Sequence, residues 1–290
     1  MITWRLWRLL KHPPRSHPMF LRMNRTTASP LPRHLNISVM SVFVVMICFL
    51  SAVIPPFLPF ALLLPVIFAV FNGSLYGLVW SARVSRALVH EHEQGTFDIL
   101  SIAPDGAFGT SWAISTGCIH RRGGFDSLRV FSLEEFCIAW TITLILSAGR
   151  WQQYMNSFEG NMALFPVGVL ITYSLLLIAT FYFNNVQSVL LGTLLGMSVP
   201  IYVRNSLDAQ IWSIGSYIGL QLATYLFTGF MIGLVLPALF SMSIATEILL
   251  AFMGVGIFYL IREIVLTALW RLLLFKLNSQ PSEIQQSLGL

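Results

Sequence analysis

Long apolar runs separated by short polar connections set the pattern of this chain. Several runs extend 17 residues or more without a charge, enough for a helix to cross a hydrocarbon layer about 30 Å thick. None shows the two-residue alternation of a membrane barrel strand, so the runs predict helices. In order they give spans at about Ile37 to Ile54, Phe57 to Trp80, Leu133 to Gly149, Met162 to Phe183, Val186 to Val203 and Ser243 to Ile261. Pro55-Pro56 reads as a tight outer turn and Asn184-Asn185 as a minimal inner one. Residues 211 to 240 exceed one ordinary span and are interrupted by Gly229, Gly233 and Pro237, which predicts a re-entrant hairpin. Two full crossings there satisfy the charges equally well, giving eight spans in place of six.

The first residues carry a different period. Ile2, Leu6, Leu9 and Leu10 share one helical face while Arg5, Arg8 and Lys11 recur every third position, the pattern of an amphipathic helix lying in a membrane interface. Trp4 and Trp7 suit the headgroup layer, and Pro13-Pro14 ends the helix because proline lacks the amide donor and restricts its predecessor. The expected organisation is a basic interfacial segment over 1–36, a transmembrane domain over 37–261 and an amphipathic tail over 262–290.

Composition makes the membrane assignment firm. A mean hydropathy of +0.75 with 10% charged residues excludes an ordinary soluble domain. The fold class expected is therefore an all-α polytopic membrane protein. The net charge of +5 does not suggest nucleic acid, because the cations gather at membrane boundaries. Arg5, Arg8, Lys11, Arg15, Arg22, Arg25 and Arg33 precede span one without an acidic residue, and no cleavable leader is evident. Both features hold the N-terminus in the cytoplasm, against anionic lipid. Arg83, Arg86, Arg121, Arg122 and Arg129 place 81–133 on the same side, and Arg262, Arg271 and Lys276 do so for the C-terminus, leaving 204–210 outside. Cys48 and Cys137 fall in spans and Cys118 in a polar loop, so the three cysteines read as packing residues and form no disulfide framework.

The chemistry concentrates in the acidic, glycine-broken stretch from Glu91 to Leu100. The helix of span two can run on past Ser81 with Arg83, Arg86, His90 and Glu93 along a polar face. Gly95 offers the left-handed conformation that closes helices, Thr96 an N-cap for the next turn, and Asp98 a favourable charge in that turn. Pro104 stops this second, short helix, which carries Phe97, Ile99 and Leu100 as an apolar knob for a partner's groove.

Glu91, Glu93, Gly95, Thr96, Ile99, Leu100 and Pro104 follow E-x-E-x-G-T, an aliphatic pair and a proline. In this the chain resembles the permease subunits of type-2 ABC exporters. The basic N-terminal helix, the hairpin of spans one and two and a re-entrant element before the last span are also similar to that family. Asp105-Gly106 depart from its usual leucine and serine. The resemblance implies that Glu91 to Pro104 couples to a separate P-loop ATPase dimer carrying ATP and magnesium. It also implies a second permease, identical or paralogous, in a plasma membrane, and transport by alternating access.

The chain has no G-x-x-x-x-G-K-[ST] and its lysines are Lys11 and Lys276 alone, so it holds no P-loop and no cofactor of its own is expected. His90 and His92 are two apart and diverge on a helix, unlike a zinc-binding i, i+4 pair. Glu134-Glu135 read as a boundary anchor, and Ser74 lacks nucleophile-elbow spacing. Catalytic and metal sites are thus not expected. Gly73 with Gly77, and Gly192 with Gly196, form small-xxx-small pairs that predict packing seams. Glu247 stands as the ionisable residue inside a span, either lining a pathway or reaching the headgroups. A membrane scaffold without transported substrate, docking partners through 81–133, is the alternative reading.

Overall fold

The computed structural model describes residues 1–25, 58–96, 106–121, 164–239 and 244–277, with backbone alone for 25, 58–72, 164–170 and 244–248. Every regular element among them is helical: α1 (Ile2–Lys11), α2 (Pro18–Arg25), α3 (Leu58–Glu93), α4 (Gly106–His120), α5 (Leu164–Ser198), α6 (Ser206–Phe230) and α7 (Ile244–Lys276). Among the described residues, three segments are long and apolar enough to cross a membrane, Ile171–Ile201, Ser206–Leu239 and Leu249–Lys276. Large apolar side chains such as Leu175, Leu226, Phe252 and Ile264 stand exposed along them, as lipid-facing surfaces do. The described residues form helices and short connections, compatible with a multi-pass membrane protein. The expected spans at 37–54 and 133–149 lie outside the described residues.

The packing seams meet each other. A Cβ on Gly192 of α5 would lie 2.9 Å from Gly77 Cα of α3, and one on Gly77 would strike Tyr217 of α6 and the Ser188 carbonyl. Gly73 leaves space for Asn185, whose Cα a Cβ would approach to 2.7 Å, and Gly196 leaves space for Val84 at 2.8 Å. Helix α6 closes over this crossing. Its Ser213 hydroxyl bonds the Ser81 hydroxyl of α3, Ser85 Oγ of α3 donates to the Ala209 carbonyl at 3.0 Å, and Tyr217 donates to the Ser188 carbonyl of α5 at 3.4 Å. Small and hydroxylated residues bring the backbones close and satisfy polar groups where no water enters.

Five expectations are corrected. Asn184-Asn185 do not turn the chain, since α5 runs unbroken through them. Asparagine is a weak helix former and reads locally as a turn residue, but Tyr225 donates to Asn184 Oδ1 at 2.8 Å and Arg262 to its carbonyl at 3.2 Å, so tertiary partners outweigh propensity. The re-entrant hairpin expected over 211 to 240 is not formed by 211–239: α6 continues through a π-helical turn at Met231–Val235 into Leu236–Leu239. The wider turn, with the Leu236 amide reaching back to the Met231 carbonyl, accommodates Pro237 without breaking the backbone pairing.

The third correction concerns the polar loop expected around Cys118; Gly106–His120 form the buried helix α4. Its hydroxyls bond within the helix, Ser111 to the Ala107 carbonyl at 2.9 Å, Ser115 to Ser111 at 2.7 Å and Thr116 to Trp112 at 2.8 Å, so a sequence that looks polar can be buried. Phe108 packs edge-on against Trp270, and Gly117 sits on Met23 of α2. Cys118 therefore lies on a helix rather than in a polar loop. Burial pushes its thiol up to about 12, despite the cations of Arg121 and Arg83; it is a packing thiol.

Fourth, 204–210 lie at the same end of the bundle as the Glu91 turn. Val89 packs against Val199 and Ala209, and Lys276 sits over the Tyr202 ring at 5.4 Å. Helix α1, expected to lie on lipid, buries Leu6 and Leu10 in the protein core while Trp4 stacks on Tyr182. Glu263 of α7 caps its first turn by accepting from the Ile2 and Thr3 amides and the Thr3 hydroxyl. Helix α7 itself passes residues 261 and 262 without interruption.

Two outcomes follow from this packing. Gly192→Leu should destabilise the protein by about 1–3 kcal/mol through overpacking, whereas Gly219→Ala, with nothing within 4 Å, should stabilise by roughly 0.5–1 kcal/mol through helix propensity; thermal unfolding in detergent reads both. Cysteines introduced at Ser206 and Gln94 should be labelled from one and the same side of the membrane; opposite sidedness would refute the shared end.

Candidate functional site

Helix α3 ends where its sequence turns acidic. The Gln94 amide bonds the His90 carbonyl at 3.1 Å and the Gly95 amide bonds His92 at 3.0 Å, after which Gly95 adopts φ +69°. A residue with a Cβ is strained there, so the E-x-E-x-G-T spacing sets a defined helix end. The Thr96 hydroxyl points back to Glu91, 2.6 Å from the carboxylate and 3.1 Å from the carbonyl, so its side chain closes the preceding helix.

Glu91 is the centre of this turn and is only 1% exposed. Its carboxylate also pairs with Arg22 of α2 at 3.2 Å, and the same guanidinium reaches Gln94 Oε1 at 3.1 Å. A buried carboxylate held by a cation and a hydroxyl is strongly placed, because removing either partner leaves a desolvated charge. Glu93 points the other way, its side chain exposed beside His90 at 3.8 Å. His90 meets Gln94, while His92 Nδ1 lies 2.8 Å from the Leu88 carbonyl, so the two rings serve separate partners. Helix α4 completes the platform through its contact with α2 and the bond between His120 Nε2 and the Leu10 carbonyl at 2.7 Å.

Of the residues singled out by sequence, Glu91, Gly95 and Thr96 are brought together and Glu93 lies beside them in solvent. Phe97, Ile99, Leu100 and Pro104 lie outside the described residues, as does the side chain of Glu247, whose backbone is in the first turns of α7. Sequence reasoning missed Arg22, which it grouped with the membrane-facing cations. It also missed a second polar cluster, inside the bundle.

That cluster centres on Arg262, 4% exposed in the middle of α7. Its Nη1 donates to the Asn184 carbonyl and to Ser188 Oγ at 3.0 Å, and its guanidinium lies 5.0 Å from the Tyr225 ring centre and 4.8 Å from that of Phe258. Gln221 Nε2 lies 2.6 Å from Ser74 Oγ, 3.3 Å from Ser188 Oγ and 3.0 Å from Tyr225 OH, linking α3, α5 and α6. The available signal was helical spacing: Asn184 with Ser188, and Tyr217, Gln221 and Tyr225, each repeat every fourth residue on otherwise apolar helices. Among the described residues, no three His, Cys, Asp or Glu converge as a metal site.

Comparison with protein-family models, with curated proteins and with solved structures finds no match for this chain.

Replacing Glu91 with Gln should free both Arg22 and Thr96. Hydrogen exchange should then rise at least tenfold at the amides of 94–96 and across α2 while the α3–α5 crossing stays protected; unchanged exchange would mean that the pair does not brace the turn.

Proposed function

We propose that this chain is the membrane-spanning permease subunit of a type-2 ABC transporter. It lies in the plasma membrane with both termini cytoplasmic, and it moves substrate by alternating access driven by a separate P-loop ATPase. The observation that carries this reading is the braced turn at the end of α3. A helix continuous with the apolar bundle ends in E-x-E-x-G-T, and Gly95, Thr96 and Arg22 hold that end rigid around Glu91.

Rigidity at this point suits force transfer. A partner pressing on the segment after Thr96 pushes on α3, and α3 is interlocked with α5 and α6 at Gly77, Gly192 and Tyr217. A push at the turn then reaches the spans as a movement of packed helices, the kind of element that has discrete alternative positions. Phe97, Ile99 and Leu100 supply the apolar contact, and Glu93 and Gln94 the polar rim. ATP and magnesium belong to the partner, which acts as a pair and so requires a second permease copy or a paralogue.

The decisive measurement is co-purification with a P-loop ATPase whose hydrolysis the chain stimulates in lipid. Phe97→Ala with Leu100→Ala should cut that stimulation about tenfold or more, in the range of a lost hot spot, while thermal unfolding stays unchanged. An absent ATPase would instead favour the scaffold, and full stimulation in the double variant would remove the coupling role.

A further inference from the structure

Helix α1 spends its apolar side on the protein. Leu6 and Leu10 are buried in the core and Thr3 lies against Glu263, which leaves one continuous outward face of Trp4, Arg5, Arg8, Lys11 and His12, all exposed. That face carries cations and no acid. Arg15, also exposed, adds another just beyond the helix. Glu263, an acid that touches α1, is engaged by the Ile2 and Thr3 amides and the Thr3 hydroxyl. The ion pairs among the described residues join Arg22 to Glu91 and His90 to Glu93, so Arg5, Arg8, Lys11 and Arg15 have no acidic partner there.

The helix behind this face marks its depth. On α5 the apolar side chains of Ile171 and Leu175 are exposed, whereas every residue over 186–200 is buried by its neighbours. The change falls just after Tyr182. There the Trp4 ring stacks on Tyr182 with centroids 6.0 Å apart, and the two residues are 37% and 38% exposed. Exposed tryptophan and tyrosine at the edge of an apolar surface are the pattern of the headgroup belt, where one end of a ring meets lipid and the other water. From Trp4 the helix runs toward α4, with the Leu10 carbonyl bonded to His120 Nε2 at 2.7 Å. Its cations thus follow directly on the ring pair, beyond the acyl chains, where exposed charge would be costly.

We propose that the outward face of α1 is a docking surface for the anionic headgroups of the adjoining leaflet, held by Arg5, Arg8, Lys11 and Arg15 through charge alone. The occupant is lipid because of the order along the protein: exposed apolar surface, exposed ring pair, uncompensated cations. An ordinary interfacial helix inserts its apolar face into the membrane. Here that face is closed against the bundle, so the contact is electrostatic and weakens with salt. Glu263 and His120 fasten the two ends of α1 to α7 and α4, so a leaflet rich in anionic lipid grips the bundle itself and not a loose arm. The surface serves a permease and a scaffold alike.

The test reconstitutes the full chain in phosphatidylcholine vesicles. Electron paramagnetic resonance then measures how trace spin-labelled phosphatidylglycerol and phosphatidylcholine divide between bulk lipid and the protein surface. Phosphatidylglycerol should be favoured about twofold or more over the whole lipid shell at low salt, a contact with one well-placed cation being worth about fivefold. The preference should fall to about parity in about 1 M salt, where charges are screened within about 3 Å. Replacing Arg5, Arg8, Lys11 and Arg15 together with Gln should remove at least about half of the low-salt preference and leave thermal unfolding unchanged, because all four side chains are exposed. The salt series needs no variant and decides the matter if the quadruple variant does not fold. No preference at low salt, a preference that survives molar salt, or one that the quadruple variant keeps in full would overturn the surface.

Discussion

The close approach of α3 and α5 at Gly77 and Gly192 is the constraint on which the other contacts depend. Each glycine occupies a place where a Cβ would run into the backbone of the other helix or the residue beside it. In a membrane, apolar side chains gain little by leaving lipid for protein, so helix pairs are held by van der Waals contact and by hydrogen bonds between backbones that come near enough. The crossing provides both. Because the two helices touch, α6 can reach across them, and Ser81, Ser85 and Tyr217 find bonds at Ser213, Ala209 and Ser188. Side chains larger than glycine at the crossing would separate the helices and leave those hydroxyls without partners.

The same crossing sets the two polar centres. Gly73 admits Asn185, which lets Asn184 stay helical and present its carbonyl and amide oxygen to Arg262 and Tyr225. Further along α3, the register fixed at Gly77 carries Val89 against Val199 and Ala209 and brings Glu91 within reach of Arg22. One centre is a cation inside the bundle with an open edge. The other is an anion at its end with every neighbour engaged.

Helices α1, α2 and α4 form a collar around the end of the bundle, and here local pattern and tertiary outcome diverge most. The amphipathic period of α1 correctly identified its buried face, Leu6 and Leu10, but a lipid surface and a protein core ask for the same period. Only the Glu263 cap and the stacking of Trp4 on Tyr182 distinguish the two. Residues 107–120 show the reverse case, in which serine, threonine and glycine conceal a buried helix because Ser111, Ser115 and Thr116 bond the carbonyls of their own preceding turn.

Much of this protein was legible without coordinates. Unbroken apolar runs imply helices, because backbone groups in lipid must pair within the segment. The small-xxx-small spacing marked both faces of the central seam, and a glycine four residues after Glu91 marked the end of α3. These follow from local rules of period and conformation. What needed the tertiary structure was everything decided by a partner distant in sequence: that Asn184-Asn185 continue a helix, that Pro237 is absorbed by a π turn, that 204–210 share an end with Glu91, and that Arg262 is buried against α5 and α6. A polar residue between apolar runs reads as a turn or a membrane boundary until something opposite it supplies the missing hydrogen bonds. Whether that partner exists is a property of the packed bundle and not of the segment.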